Sequence, residues 1–169
     1  MRKVRSVFWA LSLVALSATA AHAQRFGAQL DWGTDSDLGI GARVEFPIAL
    51  ASEGILAGTY LIGSFDYFFP DCESDLVDCS YFEFNGNVAA PVQVEGTLKP
   101  YVGAGLNMAR ASVDVQGVGG GSDTQLGLNL LGGLRFAIGS LSSFAEARVE
   151  LSGGEQFVVT WGIMLGRNR

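Results

Sequence analysis

From Arg25 onward the chain alternates apolar and polar residues with a period of two, and the alternation returns about eight times between short stretches rich in Gly, Asp and Ser. Successive residues of a strand point to opposite faces, so this pattern marks a sheet with two unlike sides, whereas an amphipathic helix repeats every 3.6 residues. No segment after Gln24 carries helical periodicity. The pattern predicts strands over residues 25–33, 38–47, 55–68, 80–90, 99–112, 124–137, 143–151 and 156–166, with loops near 34–37, 69–79, 113–123 and 152–155.

Each strand sorts into two faces. One collects Phe26, Ala28, Leu30, Trp32, Leu38, Ile40, Ala42, Val44, Phe46, Ile55, Ala57, Thr59, Leu61, Phe65, Phe82, Phe84, Val88 and Ala90, and continues through Val102, Ala104, Leu106, Met108, Leu126, Leu128, Leu130, Leu134, Phe136, Ala145, Ala147, Val149, Leu151, Phe157, Val159, Trp161, Ile163 and Leu165. Its single charge is Arg110, read as sitting at a strand end where a long side chain can snorkel toward headgroups. The other face collects Gln29, Asp31, Arg43, Glu45, Tyr60, Ser64, Asp66, Glu83, Asn85, Asn87, Asn107, Gln125, Asn129, Arg135, Glu146, Arg148, Glu150, Gln156 and Thr160, interleaved with glycines.

Periodicity does not say which face is outside. A soluble barrel with the polar face outward would carry a surface of glycines and amides almost without lysine, far from the roughly 25–35% charge of a soluble surface. Turned inward, the same residues suit an eight-stranded interior, which is just wide enough for side chains, with glycines making room for ion pairs. The apolar face then meets lipid free of charge at mid-strand, where Arg or Lys would cost about 2–4 kcal/mol. Unpaired backbone groups are costly in hydrocarbon, so the sheet must close. The expected fold is an all-β, closed antiparallel transmembrane barrel of about eight strands. The rival readings are a soluble lipocalin-like barrel holding an apolar ligand, and a narrow pore for small solutes. Aromatic girdles are expected from Phe26, Phe46, Tyr101, Phe136 and Phe144 at one rim and Trp32, Phe68, Phe69, Tyr81 and Phe82 at the other; Trp161, at mid-strand, fits neither.

Residues 1–23 read as a signal peptide: Arg2, Lys3 and Arg5, a short apolar run from Val7 to Leu16, and the small-x-small site Ala21-His22-Ala23. Residues 24–169 are then the barrel domain. Cleavage leaves eight basic residues against 17 acidic, a formal charge of −9, and one lysine, Lys99. Phosphate-binding clusters are missing, which argues against nucleic acid as a partner. The single histidine, His22, leaves with the leader. A Ser-His-Asp arrangement cannot then be assembled, so no enzymatic activity and no cofactor are expected.

Cys72 and Cys79 are the only cysteines. In an oxidising compartment they are expected to staple a loop, worth about 2–3 kcal/mol in the chain-entropy model. The loop's Asp71, Glu73, Asp75 and Asp78 are a weak candidate for calcium, lacking EF-hand glycine and spacing. Gly117, Gly119, Gly120 and Gly121 precede a strand and not a helix, so they read as a flexible surface loop and not a phosphate cradle. The lumen charges Asp31, Arg43, Glu45, Asp66, Glu83, Arg135, Glu146, Arg148 and Glu150 read as a structural ion network, bridged by Arg43, Arg135 and Arg148, because unpaired buried charge is expensive.

The stretch Lys99-Pro100-Tyr101-Val102-Gly103-Ala104-Gly105-Leu106-Asn107 resembles a strand start common in opacity-type and OmpA/OmpX-type outer-membrane barrels, and Phe144-Ala145-Glu146-Ala147-Arg148-Val149 resembles their penultimate strand. The resemblance implies eight strands, short periplasmic turns, longer surface loops and both termini in the periplasm. One departure is the chain end, Leu165-Gly166-Arg167-Asn168-Arg169, where such barrels finish on an aromatic residue. The expected role is structural or adhesive, in a monomer surrounded by outer-membrane lipid, with any surface ligand or host contact made through the loops.

Overall fold

The computed structural model describes residues 24–48, 50–54, 56–72, 76–151 and 155–165. The expected leader at 1–23 and the non-aromatic end at 166–169 lie outside the described residues. Eight strands follow one another: β1 (Arg25–Gly33), β2 (Asp37–Pro47), β3 (Tyr60–Phe68), β4 (Val77–Pro91), β5 (Lys99–Val115), β6 (Gly119–Ile138), β7 (Leu141–Leu151) and β8 (Gln156–Leu165). Each pairs antiparallel with the next, and β1 pairs with β8, so the sheet has no open side.

The register fixes the barrel's stagger. Following paired residues from Ala28 through β2, β3, β4 and β5 leads to Leu126 on β6; going the other way, through Ile163 and Ser143, leads to Phe136, ten residues further along the same strand. Such a stagger on eight strands tilts them by about 40°, so each residue advances roughly 2.5 Å along the axis.

The apolar rows point outward and lie exposed: Leu126 at 75%, Leu38 at 66% and Leu106 at 62%. From Phe26, Phe46, Phe136 and Leu165 at one rim to Leu38, Phe82, Leu126 and Leu151 at the other they cover about 25 Å of height, the hydrocarbon band of an outer-membrane barrel. The polar rows are enclosed. This arrangement overturns the lipocalin-like reading, which needs the opposite sidedness.

Several expectations are corrected. β3 begins at Tyr60 and not at residue 55, because Gly54 (φ 82°) and Gly58 (φ 74°) take left-handed backbone that a strand cannot continue. Ala57 makes an isolated bridge to Ala51, and Thr59 is buried with its Oγ1 donating to the Leu56 carbonyl at 2.6 Å; Ile55 is outside the described residues. The loop expected at 113–123 is a hairpin with only residues 116–118 at its tip, since β5 and β6 stay paired from Val115↔Gly119 downward. Connection lengths also differ from the expected pattern: the rim carrying Arg25 and Leu165 has the long 48–59 segment, while connections at the opposite rim span 34–36, 69–76, 116–118 and 152–155. Tyr101, Phe144 and Phe68 are not girdle residues. They share strand parity with Asn107, Glu146 and Asp66, point into the lumen and are at most 2% exposed.

Candidate functional site in the barrel lumen

Two charged layers fill the lumen. In the layer nearer the termini, β2 contributes Arg43 and Glu45, β5 Tyr101, β6 Arg135 and β7 Glu146. Arg43 donates through Nε to Glu45 Oε1 (3.1 Å) and through Nη1 to Glu146 Oε2 (2.9 Å), while the Tyr101 hydroxyl donates to the same Glu146 oxygen at 2.7 Å. Arg135 Nη2 stands 2.7 Å from Glu45 Oε2, close enough for an ion pair though not aligned as a hydrogen bond. The arginine faces lie on aromatic rings, Arg135 at 3.8 Å from the centroid of Tyr60 and Arg43 at 4.2 Å from that of Phe144, which holds the cations by ring electrostatics as well as by carboxylates. Tyr60 and Tyr101 join Ile62, Ala89 and Leu131 in an apolar plug at this end.

The second layer, toward the other rim, centres on Arg148. Its Nε donates to Glu150 Oε1 (2.8 Å) and its Nη2 to Glu83 Oε2 (2.9 Å), with Asp66 Oδ2 at 3.5 Å. Amides and hydroxyls supply further donors to the carboxylates. Gln29 donates to Asp66 (2.8 Å) and Asp31 (3.1 Å), Asn85 to Asp66 (2.8 Å), Gln156 to Glu83 (2.6 Å) and Glu150 (3.1 Å), Thr160 to Asp31 (2.6 Å) and Tyr81 to Glu83 (2.7 Å). Three carboxylates thus pair with one cation, a fourth, Asp31, lies in the same layer, and a belt of donors carries most of the remainder, Asp31 Oδ2 being left without a hydrogen-bond partner.

Every residue of the expected lumen network, Arg43, Glu45, Glu83, Arg135, Glu146, Arg148 and Glu150, points inside, and the structure divides them between the two layers. Sequence reasoning missed the roles of Tyr101, Tyr81 and Arg25, whose strand parity already placed them on the polar face; Arg25 Nη1 approaches Glu45 at 3.5 Å. Gln125, expected inside, is exposed and donates to Asp123, because β6 there rises past the end of β7, whose pairing begins at Leu128. Gly39, Gly133 and Gly162 make room for rings, and Gly41 for Asp66 and Gln29. A Cβ on Gly162 would meet Phe144 Cε1 at 2.5 Å, and one on Gly133 would collide with the Tyr101 ring.

Cys72 and Cys79 are joined. Of the acidic loop, Asp71 and Asp78 are exposed, Glu73 and Asp75 lie outside the described residues, and no cluster able to hold a metal occurs among the described residues.

No protein-family model matches the chain, and no curated protein matches it. Solved structures do. Neisserial surface protein A (NspA) is similar over 85% of this chain and 96% of its own, with a TM-score of 0.58 and 17% identity. Ail, the attachment invasion locus protein of Yersinia pestis, follows at 0.56 and 17%, over 83% of this chain and 93% of its own. The N-terminal β-barrel domain of Pseudomonas aeruginosa OprF gives 0.58 and 14%, over 84% and 96%. The outer-membrane enzyme PagL shares the architecture as well, at 0.52 and 14%, over 85% and 99%. With a closed eight-stranded sheet, an apolar exterior and an enclosed ionic interior, the chain has the fold of the small β-barrels of the bacterial outer membrane.

Proposed function

We propose that the protein is a non-enzymatic outer-membrane barrel that serves as a scaffold in the envelope and meets its surroundings through the rim formed by β4, β5 and β6. Residues 1–23 act as its export signal. The observation that carries the reading is the filled lumen: Arg43 and Arg148 are 3% and 1% exposed and are each locked to one carboxylate on their own strand and one from another strand, so charge that could have served catalysis or conduction is spent on mutual neutralisation. After the leader the sequence offers no histidine to act as a general base.

The rim opposite the termini exposes Asp35, Asp37, Asp71, Asp78, Asp114, Asp123 and Glu155, against Arg110 as the one exposed cation there among the described residues. Ail has been solved with the heparin analogue sucrose octasulfate, a polyanion. An acidic rim repels polyanions, so a surface partner of this chain is neutral or cationic.

Two measurements test the proposal. Carbonate washing of the cell envelope leaves the protein in the membrane and detergent releases it; recovery in the periplasmic fraction refutes the membrane assignment. Planar-bilayer recording shows no steady conductance, because eight strands with a filled interior leave no channel. Sustained unitary currents would instead establish the narrow pore.

A further inference from the structure

The inward-facing charges are out of balance at the rim that carries Arg25 and Leu165. There Arg25, Arg43, Lys99 and Arg135 share two carboxylates, Glu45 and Glu146. Three arginines converge on Glu45 alone, Arg43 at 3.1 Å, Arg25 at 3.5 Å and Arg135 at 2.7 Å. One carboxylate cannot saturate that many donors. Lys99 is exposed, makes no ion pair among the described residues, and lies opposite Arg135 in the β5–β6 register, so the two cations stand side by side on one face. Glu53 and Glu95, on the connections at this rim, are exposed and pair with no cation among the described residues.

Arg135 is the least satisfied of the set. Its Nε and Nη2 have no hydrogen-bond partner among the described residues, and the buried Tyr60 hydroxyl has none either. Those two nitrogens form one edge of the guanidinium, the paired donors that take both oxygens of a carboxylate. The rings of Tyr60, at 3.8 Å, and Tyr101, at 5.3 Å, hold the cation by their faces and leave its donors uncommitted. Because its approach to Glu45 is out of line, turning that edge toward an incoming oxyanion breaks no hydrogen bond. The side chains of Arg135 and Arg25 are both 20% exposed, which opens them to the mouth.

Direction and depth select the occupant. Lys99 and Arg135 share the strand parity of the lumen and face the barrel axis, so a headgroup held in the bilayer outside does not reach them. The plug of Tyr60, Ile62, Ala89, Tyr101 and Leu131 closes the floor, and a ligand enters only by a narrow end. Cross-strand neighbours start about 5 Å apart at Cβ. The long side chains of Lys99 and Arg135 stretch that to the roughly 7 Å between alternate side chains of an extended peptide.

We propose that this mouth binds an acidic peptide segment of a periplasmic partner, with Arg135 taking one carboxylate through its Nε–Nη2 edge and Lys99 taking a second. Binding needs only the closed barrel; that the partner is periplasmic rests on the envelope reading above.

The test folds the barrel in detergent micelles and follows the anisotropy of a fluorescent, end-capped triglutamate peptide, with end-capped triglutamine, inorganic phosphate and phosphatidylglycerol as competitors. Triglutamate is expected to bind, and none of the three competitors to displace it at equal concentration. Arg135→Gln weakens binding about tenfold or more, the loss that goes with hydrogen bonds to a charged group. Arg135→Lys, which keeps the charge without the fork, falls between, and Lys99→Gln weakens binding several-fold. Arg110, which stands within β5 and not at its end, donates to Ser122 and Thr124 at the opposite rim, so Arg110→Gln leaves binding unchanged. Heat-modifiable gel mobility reports whether each variant is folded; Lys99 is exposed, so Lys99→Gln decides the matter if Arg135→Gln does not fold. A folded Arg135→Gln or Lys99→Gln protein that binds like the parent, or an equal loss from Arg110→Gln, overturns the site. Displacement by phosphate or by phosphatidylglycerol overturns the peptide as its occupant. A protein that stays soluble without detergent overturns the envelope reading alone, because the peptide can still be titrated against it.

Discussion

Replacing Arg148 by methionine keeps most of the side-chain volume and removes the cation at the centre of the acidic layer. Three carboxylates lose their partner at once, Glu150 at 2.8 Å, Glu83 at 2.9 Å and Asp66 at 3.5 Å, and a fourth, Asp31, remains in the same buried layer. Breaking one buried ion pair by deleting a partner costs about 3–5 kcal/mol, because the survivor stays out of water uncompensated. Here the amides of Gln29, Asn85 and Gln156 still donate to the carboxylates, which keeps the expected loss near that range instead of a multiple of it. Urea unfolding in detergent micelles, followed by tryptophan fluorescence and by heat-modifiable gel mobility, measures the loss. Adding Glu83→Gln to Arg148→Met removes one of the orphaned charges and is expected to recover about 1–2 kcal/mol, a coupling that a double-mutant cycle isolates. An Arg148→Met barrel within about 1 kcal/mol of the parent, or a double variant weaker than the single one, would refute the claim that this cation holds the layer together.

Gly162→Val drives a branched side chain into the Phe144 ring, and an overpacked lumen of this kind is expected to lose about 1–3 kcal/mol in the same urea assay. Ala104→Arg, on the outward face near the middle of the apolar band, costs about 2–4 kcal/mol in lipid vesicles, whereas Leu38→Arg at the rim costs about 0–1 kcal/mol; equal costs would mean that the outward face does not meet hydrocarbon. Changing both Cys72 and Cys79 to serine lowers stability by about 2–3 kcal/mol, and reductant then has no further effect on the variant.

The outward and inward rows were readable because strand parity is a local property. Arg43, Glu45, Glu146 and Arg148 fall on the polar parity of their strands and are inside. Where parity was set aside in favour of position, the reading failed: Tyr101, Phe144 and Phe68 stand near strand ends as girdle residues do, yet their parity is that of the lumen. The hairpin at 113–123 was hidden for another reason. Above the membrane both faces of β5 and β6 meet water, so alternation fades, while the cross-strand hydrogen bonds from Val115↔Gly119 downward carry the strands on. Segment 55–59 shows the reverse case, in which apolar alternation continues but the left-handed Gly58 ends the strand.

By itself the sequence determined two unlike faces and, with so few cations and so many glycines on one of them, favoured enclosing that face; the structure then excluded the lipocalin-like alternative. The pairing inside was decided by the closed barrel. Arg43 meets Glu146 across 103 residues and Arg148 meets Glu83 across 65, because a ten-residue stagger on tilted strands brings those positions to one height. Period-two alternation says which way a side chain points but carries no record of register, and register alone selects which charges share a layer.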